Sequence, residues 1–130
     1  MLTDKTLLRY FAALQTRDGA LAASLFAFDG VIDDFRGRRH SGAQAIRGFI
    51  GQVPVMQLEY LTEFMIQGPR ATVYGRITYP GVESVLVRWV FSASGDADRI
   101  AHLCNSRIEL VPAEFLLPSP RDAAPVPGLQ

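Results

Sequence analysis

The sequence has few of the residues from which metal and redox sites are built. Its 130 residues include 1 cysteine and 2 histidines. The single Cys104 excludes an intrachain disulfide and favours a reducing compartment. The two histidines lie far apart, and the sequence has no H-x-H, C-x-x-C, glycine-rich phosphate loop or serine elbow. We therefore expect neither a metal nor an organic cofactor.

The sequence also lacks a charge bias and a long apolar run. Its 13 Lys and Arg residues balance 13 Asp and Glu residues, so no overall field attracts nucleic acid or an anionic membrane. No apolar run approaches the roughly 20 residues that cross a bilayer, and the opening "MLTDKTLLRYF" lacks a signal-peptide core. We expect a cytoplasmic protein with no nucleic-acid or membrane partner, in which "RGRRH" is a solvated turn.

Hydrophobic periodicity predicts three helices in the first half of the chain. The first helix has one apolar stripe, formed by Leu7, Tyr10, Phe11 and Leu14. Asp18 is placed to cap a second, short helix whose buried face extends to Phe26. A capping-box pattern of Ser41 and Gln44 opens the third helix. Between the second and third helices, "VIDDF" reads as a strand.

From Val55 onward the chain reads as four successive strands separated by turn signals. The first of these runs, "VMQLEYLTEFMIQ", is interpreted as a single strand. Residues 112–130 contain 5 of the 8 prolines, and we predict that this tail is extended or disordered and does not continue the sheet. The chain is thus expected to be one domain over residues 1–111, followed by a proline-rich tail.

One strand is apolar on both faces, which indicates that the sheet is covered twice. The segment "VLVRWVF" has no polar face, so helices would cover one side and a second subunit is the simplest cover for the other. We therefore expect a homodimer formed through the sheet.

The doublet Asp33-Asp34 interrupts the apolar strand. Side chains alternate across a strand, so Ile32, Asp34 and Arg36 would share one face, and Asp33 would leave by the other. Alternation alone does not say which face is buried. An ion pair with Arg36 and a catalytic role are both open for Asp34.

The order of elements, with "RYFAALQTRDGALAASLFAFDGVIDDFRG" followed by "SGAQAIRGF", resembles the nuclear transport factor 2-like superfamily, and within it the SnoaL-like and bacterial ketosteroid isomerase-like branches. The resemblance implies an α+β fold in which a cone-shaped, curved, antiparallel or mixed sheet carries three helices on its concave face. The same scaffold serves isomerases, cyclases, dehydratases, hydrolases and binding proteins.

The resemblance also implies site residues. Asp34 corresponds to the general base of ketosteroid isomerases, and Tyr10 to the tyrosine that donates a hydrogen bond to the developing enolate. Phe49 matches a pocket aromatic. Trp89 stands where the family has a second, carboxylic acid donor, and Arg36 stands where the family tends to be apolar.

Further pocket residues follow from the register that the resemblance sets. Ile32 shares the face of Asp34, and Leu103 and Asn105 of the last strand point toward the same cavity, whereas His102 points away. His40 precedes a predicted helix cap and is interpreted as a solvated loop residue.

Two functions remain open from the sequence. The first is a cofactor-independent enzyme that moves a proton on a hydrophobic ring-type small molecule, with Asp34 as base and Tyr10 as donor. It includes isomerase, cyclase, dehydratase and hydrolase chemistry. The second is a non-catalytic module that uses the same fold for ligand binding or dimerisation.

Overall fold

The computed structural model describes residues 1–95 and 98–123. Three α-helices are present, α1 (Asp4–Thr16), α2 (Gly19–Ser24) and α3 (Ala43–Gly51), with a short 3-10 turn at Ala113–Phe115. The strands are β1 (Phe26–Asp33), β2 (Arg39–Ser41), β3 (Gln57–Thr62), β4 (Met65–Gln67), β5 (Arg70–Thr78), β6 (Val85–Ala93), β7 (Ile100–Ile108) and β8 (Leu116–Asp122). None of the helices in these described ranges is long and apolar enough to cross a bilayer.

The strands form one mixed, curved sheet in the order β2-β1-β7-β6-β5-β3-β8, with β4 paired to β5. The pairing of β1 with β7 is parallel and the other pairings are antiparallel. The predicted α+β architecture, with three helices against one curved sheet, is confirmed.

Local sequence signals explain the first two helices. The Thr3 side chain accepts a hydrogen bond from the Thr6 amide at the start of α1, and Arg17 ends that helix with a φ of 56°. Asp18 caps α2 through the Leu21 amide, as predicted. The predicted stripe of α1 is buried, so this helix covers the inner face of the sheet.

Three element boundaries differ from the predicted ones. The second helix ends at Ser24, and Phe26 already begins β1, since this aromatic pairs with Ile100 of β7. The cap of α3 is Gly42 without a side-chain hydrogen bond, because Ser41 belongs to β2. The run from Val55 to Gln67 is split into β3 and β4.

The prediction that the proline-rich tail does not continue the sheet is wrong for its first part. Strand β8 pairs with β3, where Asp122 lies opposite Glu59 and Leu116 opposite Thr62. It is the last strand in the sheet order, an edge position that tolerates proline because one side of the strand needs no partner. The remaining tail residues 124–130 lie outside the described residues.

Aromatic side chains fill the space between α1 and the sheet. Phe11 is fully buried, and its ring packs edge-on against Trp89 and Phe91, with centroid distances of 5.1 and 5.8 Å. Tyr10 packs in the same way on Phe26 and Phe91. The interior of the cone is therefore a packed core. On the outer face of β6, Leu86 and Val90 are only partly buried, and the homodimer through this face stays a prediction.

Asp33 ties three strands together on the outer face of the sheet. Its carboxylate accepts hydrogen bonds from Arg39 Nε at 2.8 Å and Arg39 Nη2 at 2.9 Å, both on β2. It also lies 2.7 Å from His102 Nε2 on β7. Hydrogen bonding by Arg39 is the main cause that lowers the Asp33 pKa to about 2. This outward position agrees with the predicted alternation of the doublet.

Gly19 lies where α2 and α3 approach each other closely, so a substitution at Gly19 tests how these two helices pack. A Cβ at Gly19 would overlap the backbone carbonyl of Arg47. We expect Gly19→Ala to lower the free energy of unfolding by about 1–3 kcal/mol, since the two helices must move apart. Gly51→Ala is the matched control, because nothing lies near a Cβ there. Urea unfolding of both variants measures the difference, and equal midpoints would contradict this packing.

The low pKa of Asp33 predicts how acid weakens the fold. The folded pKa, about 2, is below the ordinary value of 3.8, so the unfolded chain binds this proton first as the pH falls. The stabilisation is therefore present above about pH 4 and is lost toward pH 2. Asp33→Asn should be less stable than wild type at pH 7, with the difference shrinking below pH 4. Urea titrations over this range check it against Asp29→Asn, an exposed control on β1. A difference independent of pH would contradict the linkage.

Candidate functional site

The candidate site is built on the tight turn that follows β1. Strand β1 ends at Asp33, and the Asp34 amide donates to the Arg38 carbonyl at 2.9 Å. The Gly37 amide donates to the Asp34 carbonyl at 3.0 Å, and Gly37 has a φ of 82°, which favours glycine. Aspartate at the first turn position and glycine at the fourth are the residues that such turns prefer. The chain therefore reverses here and returns as β2.

The Asp34 carboxylate is buried inside this turn. Its side chain accepts hydrogen bonds from the Arg36 and Arg38 amides at 2.9 and 3.0 Å through Oδ1. The other oxygen, Oδ2, lies 2.9 Å from His40 Nε2. Burial raises the pKa of Asp34, but the hydrogen bonds from His40 and the two amides outweigh it, and the net pKa is lowered. Asp34 is thus held as a carboxylate that is already fully engaged.

The side chain of Arg36 is not the partner of Asp34. The sequence left an Asp34–Arg36 ion pair open, but the strand ends before Arg36, so the alternation that put the two side chains on one strand face no longer applies. Within the described residues, the side chain that meets the Asp34 carboxylate is that of His40. Arg36 contributes its backbone amide to the carboxylate and directs no ion pair toward it.

Strand pairing and α3 together fix the position of His40. In the β1–β2 ladder His40 lies directly opposite Ile32, and therefore on the same face as Asp34. The imidazole ring stacks on Phe49 of α3, with centroids 4.1 Å apart and planes at 22°. The side chain is 20% exposed. His40 is therefore a half-buried, oriented residue, and the interpretation of it as a solvated loop residue is wrong.

A cavity of about 470 Å³ opens at this point, between the turn, α3 and the end of β5. This volume lies within the roughly 300–1,000 Å³ of small-molecule sites. Its polar wall consists of Asp34, Arg36, Arg38, His40, Gln44, Gln52 and Tyr79. Its apolar wall consists of Phe35, Phe49, Val53 and Pro54. The cavity thus combines a hydrophobic surface with one oriented histidine–carboxylate pair.

The structure brings together only part of the predicted site. Asp34, Phe49 and Arg36 line the cavity. Ile32, Trp89 and Leu103 do not, since each is 0–1% exposed and belongs to the packed core. The register implied by the family resemblance had placed them on the inner face, and all three are buried. At their positions the inner face packs into the hydrophobic core that they share with Phe11 of α1.

Tyr10 and Asn105 also lie apart from the cavity lining. Tyr10 is 0% exposed, and its hydroxyl has no hydrogen-bond partner within the described residues. Burial raises the pKa of this phenol far above its ordinary value. Asn105 is buried, and its Oδ1 atom is likewise without a partner there. The Tyr10 hydroxyl thus lies outside this cavity, and the donor role of Tyr10 stays a prediction.

Sequence reasoning identified three of the lining residues of the cavity, and His40 and Tyr79 are among those it missed. His40 could have been found by pairing "VIDD" with "RRHS" around a turn at "DFRG", since that register puts His40 opposite Ile32. Tyr79 directly follows β5, and no local signal marks it as a cavity residue. In the described part of the chain, no group of three or more His, Cys, Asp or Glu side chains is arranged to hold a metal ion.

No protein-family model matches the chain, and no curated protein does. Solved structures do match. A protein from Sphaerobacter thermophilus aligns with a TM-score of 0.72 at 28% identity, covering 81% of this chain and 94% of that one. A candidate polyketide cyclase from Sinorhizobium meliloti aligns with a TM-score of 0.67 at 27% identity, covering 80% of this chain and 95% of the other.

More distant structures extend the same picture of the fold. A protein from Catenulispora acidiphila, described as having a ketosteroid isomerase-like fold, aligns with a TM-score of 0.66 at 19% identity, covering 79% of this chain and 85% of that one. Others are described as nuclear transport factor 2-like, as a cystatin fold and as SnoaL-like. The chain therefore has the nuclear transport factor 2-like fold, and the solved structures that share this fold with it include ketosteroid isomerase-like and SnoaL-like proteins.

Proposed function

We propose that the protein is a small enzyme that removes and returns a proton on a hydrophobic ring-type molecule, with His40 as the base. The observation that carries the proposal is the Asp34–His40 pair at the wall of an apolar cavity, stacked on Phe49. This proposal moves the base from Asp34 to His40. The carboxylate becomes the positioning residue, because its oxygens are occupied by two amides and the imidazole.

The hydrogen bond to Asp34 decides which nitrogen of His40 can act. A carboxylate with a lowered pKa only accepts hydrogen bonds, so Nε2 must carry the proton toward it. In the neutral ring the remaining nitrogen, Nδ1, then has a free lone pair. No partner occupies Nδ1 among the described residues. Nδ1 takes the substrate proton, and the Asp34 carboxylate stabilises the imidazolium that forms.

The rest of the cavity suits a ring compound with a carbonyl group. Phe49, Val53 and Pro54 offer an apolar surface for the ring. The Tyr79 hydroxyl and the Gln44 and Gln52 amides offer donors for an oxygen that gains charge as the proton leaves. Isomerisation, aldol ring closure and dehydration can all begin with such a step. The likeness to a candidate polyketide cyclase supports this range of reactions.

A second candidate function is ligand binding without turnover. It is favoured by the position of Tyr10 and Trp89 in the core, since the cavity then lacks the second acid that a faithful ketosteroid isomerase would offer beside its base. In that case the Asp34–His40 pair would serve to close the turn, and a bound ring compound would keep its protons. Proton exchange distinguishes the two functions.

The proposed function makes a prediction about the tautomer of His40. At a pH where His40 is neutral, we expect its proton on Nε2 and none on Nδ1. In Asp34→Asn the amide can offer a donor instead, and the proton should move to Nδ1 in a large fraction of molecules. Two-bond ¹⁵N NMR of the imidazole ring measures this. A neutral His40 protonated on Nδ1 in the wild type would contradict the proposed base.

The proposed function also predicts that the protein catalyses the exchange of carbon-bound hydrogen. The wild type should catalyse exchange of the α-protons of 2-tetralone or 1-indanone in D₂O, followed by ¹H NMR. His40→Gln should slow the catalysed exchange by about 10²–10⁴-fold, the usual contribution of a general base. His102→Gln is the matched control, because this histidine also bonds an aspartate through Nε2 but on the outer face of the sheet. Unchanged exchange in His40→Gln would refute the proposal, and binding without any exchange would favour the second function.

A further inference from the structure

We propose that the substrate is an organic carboxylate, whose ring lies against Phe49 and His40 and whose carboxylate group is bound by Arg36. The inference rests on the proposed function for the location of the substrate site. It adds a substrate class and a residue that determines specificity. The proton-transfer chemistry implies neither of these, because a neutral ketone could undergo the same proton transfer.

Arg36 lies where two depressions of the surface meet. The cavity that holds His40 shares Arg36, Pro54 and Tyr79 with a neighbouring groove of about 760 Å³. The groove continues between the loop before β3 and the turn after β5, and Arg107 of β7 also lines it. A ligand that fills the first cavity and extends into the groove therefore lies beside Arg36.

The charges at this junction are unbalanced in favour of an anion. The negative charge of Asp34 is already engaged by two amides and His40. Within the described residues, no carboxylate lies within ion-pair distance of Arg36, Arg38 or Arg107. Against these cations stands Glu83, an exposed residue at the edge of the groove. The junction thus offers guanidinium groups without a protein partner.

Tyr79 adds a neutral donor beside Arg36. Burial raises the pKa of the Tyr79 phenol, and the Arg36 guanidinium acts in the opposite direction, which places the positive charge near this hydroxyl. A guanidinium offers two parallel N–H groups that match the two oxygens of a carboxylate. A phenol that stays protonated can donate a further hydrogen bond.

The walls of the groove suit the apolar part of such a ligand. Val55 and Val82 line it, although they are 55% and 64% exposed, and Val85 and Pro80 lie beside them. A ligand with a ring and a short acidic chain would cover these valines while its charge stays at Arg36. The arrangement favours an amphipathic acid over an inorganic anion.

The test compares two probes that differ only in charge, naphthalene-1-acetate and naphthalene-1-acetamide. Binding to the full chain is measured by ¹H–¹⁵N NMR titration. We expect the acetate to bind about tenfold more tightly than the acetamide, the effect of one charged hydrogen bond. In Arg36→Gln this preference should be lost while the acetamide affinity stays unchanged.

The variant Arg36→Gln leaves the turn intact, because Arg36 holds Asp34 through its backbone amide and not its side chain. Arg70→Gln is the matched control, since it removes the same charge from an exposed position at the other end of β5, and the acetate preference should survive in it. Equal affinities for the two probes would overturn the inference. So would an equal loss of both in Arg36→Gln, or no binding of either probe at millimolar concentration.

The outcomes separate this inference from the proposed function. If the protein prefers the acetate through Arg36 but exchanges no ketone proton, the proposed catalysis is refuted and the carboxylate site is supported. If the protein exchanges ketone protons through His40 but shows no preference for the charged probe, the proposed catalysis is supported and the carboxylate site is refuted.

Discussion

The hydrogen bonding of the Asp34 carboxylate is the constraint on which the site depends. One oxygen accepts the Arg36 and Arg38 amides and closes the turn, and the other accepts His40 Nε2. A buried charge without partners would cost several kcal/mol, and charge-assisted hydrogen bonds to three donors offset that cost. Because the turn fixes the β1–β2 register, it also fixes His40 opposite Ile32 and against the Phe49 ring. The Asp34 side chain thus determines the position and environment of the imidazole, and with them the tautomer that we propose for it.

The doublet Asp33-Asp34 makes two aspartate–histidine pairs from neighbouring residues, one on each face of the sheet. Asp33 bonds His102 on the outer face and Asp34 bonds His40 on the inner face, both through Nε2. The chemistry of the pairs is the same, but the surroundings differ. The side chain of His102 is 41% exposed and shares its carboxylate with Arg39, whereas that of His40 is 20% exposed and faces an apolar cavity. Environment, more than residue type, distinguishes the candidate catalytic pair from a structural one.

The fold could be predicted from the sequence to a large extent, and the site only in part. Helical stripes and the order of elements reflect periodicities that tertiary contacts reinforce, so α1, α2 and the curved sheet agreed with expectation. The face of Asp34 was assigned by the register that the family resemblance implies, because alternation alone leaves the choice open. Periodicity cannot, however, separate a core wall from a cavity wall, since both are inner and apolar. Trp89, Leu103 and Ile32 were therefore assigned to the pocket. The rings that pack on Tyr10 from other elements, Phe26 of β1 and Phe91 of β6, are likewise not revealed by a local pattern.

The filled interior has a consequence for how this cone can work. Phe11, Trp89 and Phe91 occupy the space beneath α1, whereas the cavity that holds His40 opens at the rim, formed by the turn after β1, the end of α3 and the segment after β5. Rim residues lie on turns and helix ends, which can differ between proteins without disturbing the core. A reaction centred there needs a base supplied by the rim itself. As the proposed base, His40 suits this position because it lies within β2 and the buried Asp34 carboxylate anchors its ring.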